Sequence, residues 1–320
     1  MRTAFLLGAG FNVDAAAEVG YNANASYPLT RDLLKPCFGR AALPTGLSVE
    51  DLFGRALDER NLEPIRVLSE LLMDADGDVA FQLRHGAGRD DNAYLMFLRH
   101  FQATHFLTFN YDSLVEILLL SLGRWRPDDG FGPPVKIELP LCPPSLPDRS
   151  TNLVLHLHGS LCVYPEKYRL VPGPTRNYEM LVTRGEPLFA FDPEAIGCCF
   201  FPFQAALPKG RYHHLDDRII APIPNKAQGI ANVFVTEVYR RAAEVLQQVD
   251  LLVVVGYRFS PYDRYSYEPL VGRSSPRRIL IVAPDASDLA KRLRTEYPAL
   301  NWDSAPYTFS KWVRAGYPSV

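Results

Sequence analysis

The 320-residue sequence is 47% hydrophobic and 22% charged, enough apolar material for a sizeable core. Its 34 Lys and Arg against 36 Asp and Glu give a formal net charge of -2 with no long basic block, which argues against direct nucleic-acid binding. The five cysteines, Cys37, Cys142, Cys162, Cys198 and Cys199, contain no Cys-x-x-Cys pair, so a four-cysteine zinc site and a secreted disulfide framework are both excluded as readings.

Thr3 to Leu7 is a short apolar run that ends at Gly8-Ala9-Gly10, and Asp14 to Glu18 favours helix. Gly8, Gly10, Asn12 and Asp14 break any signal-peptide core, and no apolar run reaches the roughly 18 residues of a membrane span. A cytoplasmic location with no membrane contact is therefore expected. Residues 30–102 read as a helical insertion, with Gly- and Asp-rich breaks expected at 74–78 and 85–91. His105 to Phe109 is the next strand candidate, followed by Asn110-Tyr111-Asp112 and a helical pattern from Ser113 to Leu122.

Residues 123–150, rich in Pro and Gly, read as loop, and Leu153 to Leu157 as a strand that ends at His158-Gly159-Ser160. Residues 161–217 lack periodicity and read as a second, irregular insertion, a candidate lid. A helix is expected over 231–248, then strands over Asp250–Val255, ending at Gly256-Tyr257-Arg258, and over Arg278–Val282, ending near Asp285. Continuous apolar strands of this kind suit a parallel sheet covered on both faces. The fold class expected over 1–320 is α/β: a Rossmann-like parallel sheet with helices on both faces, plus the two insertions. In such sheets ligands bind beyond the carboxyl ends of the strands, so the five polar clusters are expected to share one crevice.

Four motifs in order carry a resemblance: Phe5-Leu6-Leu7-Gly8-Ala9-Gly10-Phe11-Asn12, Thr108-Phe109-Asn110-Tyr111-Asp112, Leu157-His158-Gly159-Ser160 and Val253-Val254-Val255-Gly256-Tyr257. Together they resemble the signature of the SIR2-like family, related to sirtuins and common in bacterial anti-phage defence. The resemblance implies that Gly8, Ala9, Gly10, Phe11 and Asn12 hold the NAD diphosphate, with Gly159, Gly256 and Tyr257 also at the nucleotide. It implies that Asn110 and His158 stand beside the nicotinamide ribose and that Asp112 meets the carboxamide. Asn12 replaces a usual Ser, Arg258 a small hydroxyl residue and Ala283 a usual Asn, so Arg258 is a candidate for the diphosphate and Asp285 for the adenosine ribose. The two Cys-x-x-Cys pairs and the Gly-Ile-Pro-Asp-Phe-Arg segment of sirtuin deacylases are missing, and only Tyr27-Pro28-Leu29 resembles the latter.

The chemistry suits those residue types. Departure of nicotinamide leaves an oxocarbenium-like ribosyl centre. An amide at 110 orients a water or the leaving group, and an imidazole at 158 takes a proton. No metal is needed. Each residue also has a plain structural role available: Gly8 and Gly10 as a tight turn, Asn110 and Asp112 as helix caps, His158 as a turn residue, Arg258 as a solvent-facing side chain. His156 is read as structural. The expected activity is NAD glycohydrolysis with NAD as substrate, in a defence effector restrained by homo-oligomer assembly or by a partner of ATPase, helicase-like or Argonaute type. A regulatory module that only binds NAD or ADP-ribose, and ADP-ribosyl transfer to protein, are the alternatives. A branched side chain at Gly10 is expected to block the approach of a phosphate.

Overall fold

The computed structural model describes residues 2–20, 27–61, 63–85, 92–133, 136–137, 147–160, 163–164, 167–172, 178–183, 188–189, 233–273 and 276–320. Six parallel strands form the central sheet: β1 (Thr3–Leu7), β2 (His105–Thr108), β3 (Val154–His156), β4 (Leu251–Val255), β5 (Arg278–Val282) and β6 (Trp302–Ala305). Their spatial order is β3-β2-β1-β4-β5-β6, in which two halves wind outward from the β1/β4 pair. This is the doubly wound Rossmann-like order, with its reversal point between β1 and β4. Every residue of β4 is buried, and its three successive valines suit a strand packed on both faces.

Five of the six strands match apolar runs. β6 does not, because Trp302-Asp303-Ser304-Ala305 is an edge strand whose Asp303 and Ser304 are only half-buried. Helices surround the sheet. α1 (Ala9–Glu18), α2 (Leu34–Phe38), α3 (Val49–Asp58), α4 (Glu63–His85) and α5 (Ala93–His100) fill the connection from β1 to β2. α6 (Leu114–Ser121) follows β2, α7 (Val233–Gln248) precedes β4, and α8 (Arg264–Arg273), α9 (Ala286–Glu296) and α10 (Phe309–Arg314) follow β4, β5 and β6. Ser48 and Asp51 close a capping box on α3, and Asn92 caps α5 by accepting from the Leu95 N–H at 2.8 Å.

The expected break at 74–78 is absent: α4 runs unbroken through Asp74, Gly77 and Asp78. Leu72, Ala75, Val79, Ala80 and Leu83 continue its buried stripe, and that burial outweighs the roughly 1 kcal/mol that a helical glycine costs. Residues 86–91 and most of 161–217, including any lid, lie outside the described residues. Within that stretch Lys167–Pro172 pairs antiparallel with Tyr178–Thr183, while Leu188–Phe189 and Val163–Tyr164 form a small separate sheet with Lys136–Ile137 from the segment read as loop.

α10 is tied onto α1. Asp14 Oδ2 accepts from the Ser310 N–H at 2.6 Å and from the Ser310 hydroxyl, while Arg314 pairs with Glu18, which also accepts from the Ala93 N–H at 3.0 Å. Phe11, Tyr94 and Phe309 pack as a ring cluster behind this contact, with centroids 4.8–4.9 Å apart.

At the reversal point the turns after β1 and β4 interlock. The Gly8 N–H donates to the Val255 carbonyl and the Gly10 N–H to the Gly256 carbonyl, each at 3.0 Å. A Cβ on Gly8 would lie 2.7 Å from Tyr257 Cα, and one on Gly10 would lie 2.8 Å from Gly256 Cα. Gly256 has φ +61°, and its Cβ would lie 2.4 Å from the Phe11 nitrogen. Only glycine fits there, for backbone and for space. Gly256→Ala is accordingly expected to cost about 2 kcal/mol or more. Urea denaturation would check it, and a variant as stable as wild type would refute the interlock.

Candidate active site

Beyond the carboxyl ends of the strands lies a cleft of about 490 Å³, within the usual range of ligand pockets. Gly8, Ala9, Gly10, Asn12, Asn110, Asp112, His158, Gly256, Tyr257, Arg258 and Asp285 all line it. Phe11 does not: its ring is in the core with Tyr94 and Phe309, because α1 turns that face towards α5 and α10. Gly159 is also absent from the wall and sits in the turn after β3 with φ +79°.

The glycines of this turn also have a packing role. The Cβ positions of Gly8 and Gly10 point into the backbone of residues 256 and 257, so the room they provide is for β4's turn. In the first turn of α1, the Gly10 N–H is bound to Gly256 and the Phe11 N–H to the Gly8 carbonyl at 2.9 Å. The Ala9 N–H of this turn finds no hydrogen-bond partner among the described residues. A branched side chain at Gly10 would therefore disturb the fold before it met any ligand.

Asn110 is fixed by four hydrogen bonds. Its N–H donates to Thr108 Oγ1 at 3.0 Å, and its carbonyl accepts from His156 Nδ1 at 3.0 Å. Its Nδ2 donates to the Gly8 carbonyl at 3.2 Å and to Asn12 Oδ1 at 2.9 Å. Both amide hydrogens are thereby used, and the side chain's remaining group is the acceptor Oδ1. Asn12 is thus the support of Asn110, buried at 2% exposure. Its Nδ2 faces Asp112 without closing a hydrogen bond.

Asp112 does cap α6: Oδ1 accepts from the Leu114 N–H at 3.2 Å. Burial pushes its carboxyl up to about 6, and the nearby Asn12 amide and the Leu114 N–H oppose that rise. At neutral pH the group still ionises, while slightly acidic conditions convert it to a donor.

His158 lines the cleft at 2% exposure. Ser266 Oγ of α8 is 3.1 Å from its Nε2, and Asp263 Oδ1 is 3.9 Å from the same nitrogen. Asp263 Oδ2 accepts from the Tyr257 hydroxyl at 3.2 Å, and burial together with Asp263 keeps that phenol well above its ordinary pKa. Phe109 stacks on Tyr257 with centroids 4.4 Å apart and tilts against His158 at 4.7 Å. A proton taken by His158 would meet a carboxylate already in place. Asp263 and Ser266 were not among the sequence candidates. The signal was present in Ser260-Pro261-Tyr262-Asp263, where Ser260 accepts from the Tyr262 N–H and Pro261 opens a helical turn.

At the rim, Arg258 and Asp285 pair with each other at 3.1 Å, with side chains 79% and 42% exposed. Ion pairs this exposed are worth little, so both remain available to a ligand. The opposite wall comes from the helical block and the segment before it: Tyr27, Leu33, Glu50, Leu68 and Leu72. Tyr27 belongs to the Tyr27-Pro28-Leu29 segment noted in the sequence, whereas Leu33, Glu50, Leu68 and Leu72 read as ordinary core or surface until the block is folded over the sheet. Among the described residues no group of three or more His, Cys, Asp or Glu could hold a metal ion, and no helix is long and apolar enough to cross a membrane.

No family model matches the sequence, and no curated protein matches it. Solved structures do align along almost the whole chain. A mutant Sir2 homologue complexed with ADP ribose shares 16% identity, covering 98% of this chain and 89% of that one, at a TM-score of 0.39. A Sir2 homologue–NAD complex gives 16%, 99%, 90% and 0.39 for the same quantities. A mutant Sir2 homologue with 2'-O-acetyl ADP ribose gives 16%, 99%, 93% and 0.41. Likeness this distant leaves the chemistry to be argued from the chain's own residues.

The Asp112 carboxyl has a stability signature. Its folded pKa of about 6 exceeds the ordinary 3.8 of an aspartate, so its favourable contribution is complete below about pH 4 and is lost as pH rises through 6. Relative to wild type, the Asp112→Asn protein should gain stability steadily between pH 4 and 7. Urea midpoints at four pH values check this, and a constant difference across the window would contradict the buried acid.

Proposed function

We propose that the chain is an NAD glycohydrolase that breaks the bond between nicotinamide and ribose C1′ and passes the ribosyl centre to water. The observation that carries this reading is that Asn110 and His158, from the tips of β2 and β3, face one cleft at the β1/β4 reversal point. Dinucleotides favour that point in doubly wound sheets. The motif resemblance supplies the identity of the dinucleotide, and the missing deacylase segments favour water over an acyl-lysine acceptor.

In this reading NAD and water give ADP-ribose, nicotinamide and one proton. The C1′–N bond breaks with its electron pair leaving on nicotinamide, which departs neutral. Asn110 Oδ1 accepts a hydrogen bond from the attacking water and directs its lone pair at C1′. His158 takes the water's proton, and Asp263 stabilises the resulting imidazolium. Asp112, ionised at neutral pH, accepts from the carboxamide N–H. The Ala9 N–H and Arg258 meet the diphosphate, and Asp285 accepts from the adenosine ribose once released from Arg258. The same resemblance carries a role in anti-phage defence, in which NAD depletion is held back by assembly or by a partner protein until it is needed.

Purified protein incubated with NAD should release nicotinamide. Asn110→Ala and His158→Ala should each slow that release by about 100-fold or more while circular dichroism shows a folded protein. Both variants turning over at the wild-type rate would overturn the assignment. Tight binding with no release would favour a regulatory module, and label retained on protein would favour transfer.

A further inference from the structure

Glu116 is the one acid in Leu114-Val-Glu-Ile-Leu-Leu-Leu-Ser121, a helix otherwise given over to the core. It is 1% exposed, and it pairs there with Nε2 of His156 on β3, also 1% exposed. Neither residue touches the cleft. A buried carboxylate is costly unless paired, and a buried ion pair is often no more stabilising than two apolar side chains of similar volume. Stability alone therefore gives little reason for the pair to exist.

Its geometry gives a better one. His156 Nδ1 lies 3.0 Å from the Asn110 carbonyl, an oxygen that can only accept. Nδ1 must then carry hydrogen, and Glu116 at Nε2 lets the ring be protonated on both sides. Burial acts to lower the His156 pKa, but the charge and hydrogen bond of Glu116, with the Asn110 carbonyl and Asp112, outweigh it and leave the imidazole above its ordinary value. Phe131 packs against the ring and excludes water. A rigid, charge-assisted donor thus grips the main chain of the residue whose amide faces the cleft.

We propose that His156 and Glu116 are a positioning pair that holds the Asn110 main chain so that Oδ1 meets the attacking water. This rests on the NAD glycohydrolase reading for its kinetic consequence, and on the hydrogen-bond geometry alone for its structural one. The test is the double variant His156→Phe/Glu116→Leu, which removes both charges together and keeps the volume apolar. Thermal unfolding, steady-state nicotinamide release and the ¹H–¹⁵N side-chain amide resonances of Asn110 are measured in wild type and variant.

A melting temperature at or above wild type is expected, with kcat lower by about 10- to 100-fold and KM within about threefold, because displacements of a reacting group by an ångström cost that much. The Asn110 amide resonances should shift. Glu116→Gln should restore most of kcat, since its amide can donate to Nε2 and leave the Nδ1 hydrogen on Asn110. A folded double variant with wild-type kcat and unshifted Asn110 resonances would overturn the proposal, as would failure of that variant to fold, which would make the pair a requirement of the scaffold. Wild-type protein that releases no nicotinamide would count against the glycohydrolase reading, and the resonances would then decide the positioning role by themselves.

Discussion

The structure depends on how closely two backbones pass at the centre of the sheet. Gly8 and Gly10 lie against Gly256 and Tyr257 at distances no side chain tolerates. This contact sets how far α1 stands from β4, and α1 carries Asn12. Asn12 in turn holds the Asn110 amide, and Gly8 supplies the second acceptor for it. If the two turns were pushed apart by one carbon atom, the support of Asn110 would move with them. The glycines act first on protein geometry, and through it on the site.

The site is expensive to build and rigid once built. Asn12, Asp112, Glu116, His156 and His158 are all 5% exposed or less. Burying so many polar groups is tolerable only where each finds hydrogen-bonding partners, and most do so from four separate segments of chain. Rigidity of this kind is what positioned chemistry requires, since the groups need not reorganise when charge develops. The solvent-exposed margin of the cleft lies elsewhere, in the Arg258–Asp285 pair at its rim.

Much of this was legible in the amino-acid order. β1, β4 and β5 are apolar runs because both their faces are covered, and each stops at a small or polar residue where the sheet ends. Asn110, Asp112 and His158 were visible because they stand directly after such runs. What was not legible depends on long-range packing. Phe11 looked like part of a nucleotide loop because it follows the glycines, but helical geometry turns it towards Tyr94 and Phe309. Asp263, at the end of a helical turn, and Ser266, on α8, reach His158 from more than a hundred positions away in sequence. β6 stayed hidden because an edge strand has no need of an apolar run.

The clamp between α1 and α10 and the pairing of β1 with β4 have a consequence for synthesis. β1 bonds to residues 248 positions later, and Asp14 and Glu18 reach 296 positions ahead to Ser310 and Arg314. Local helices can form as the chain leaves the ribosome, but the central crevice has no floor until β4 arrives, and α1 has no brace until α10 follows. Until Ser310 and Arg314 are in place, α1 and the Asn12 it carries towards Asn110 lack their brace.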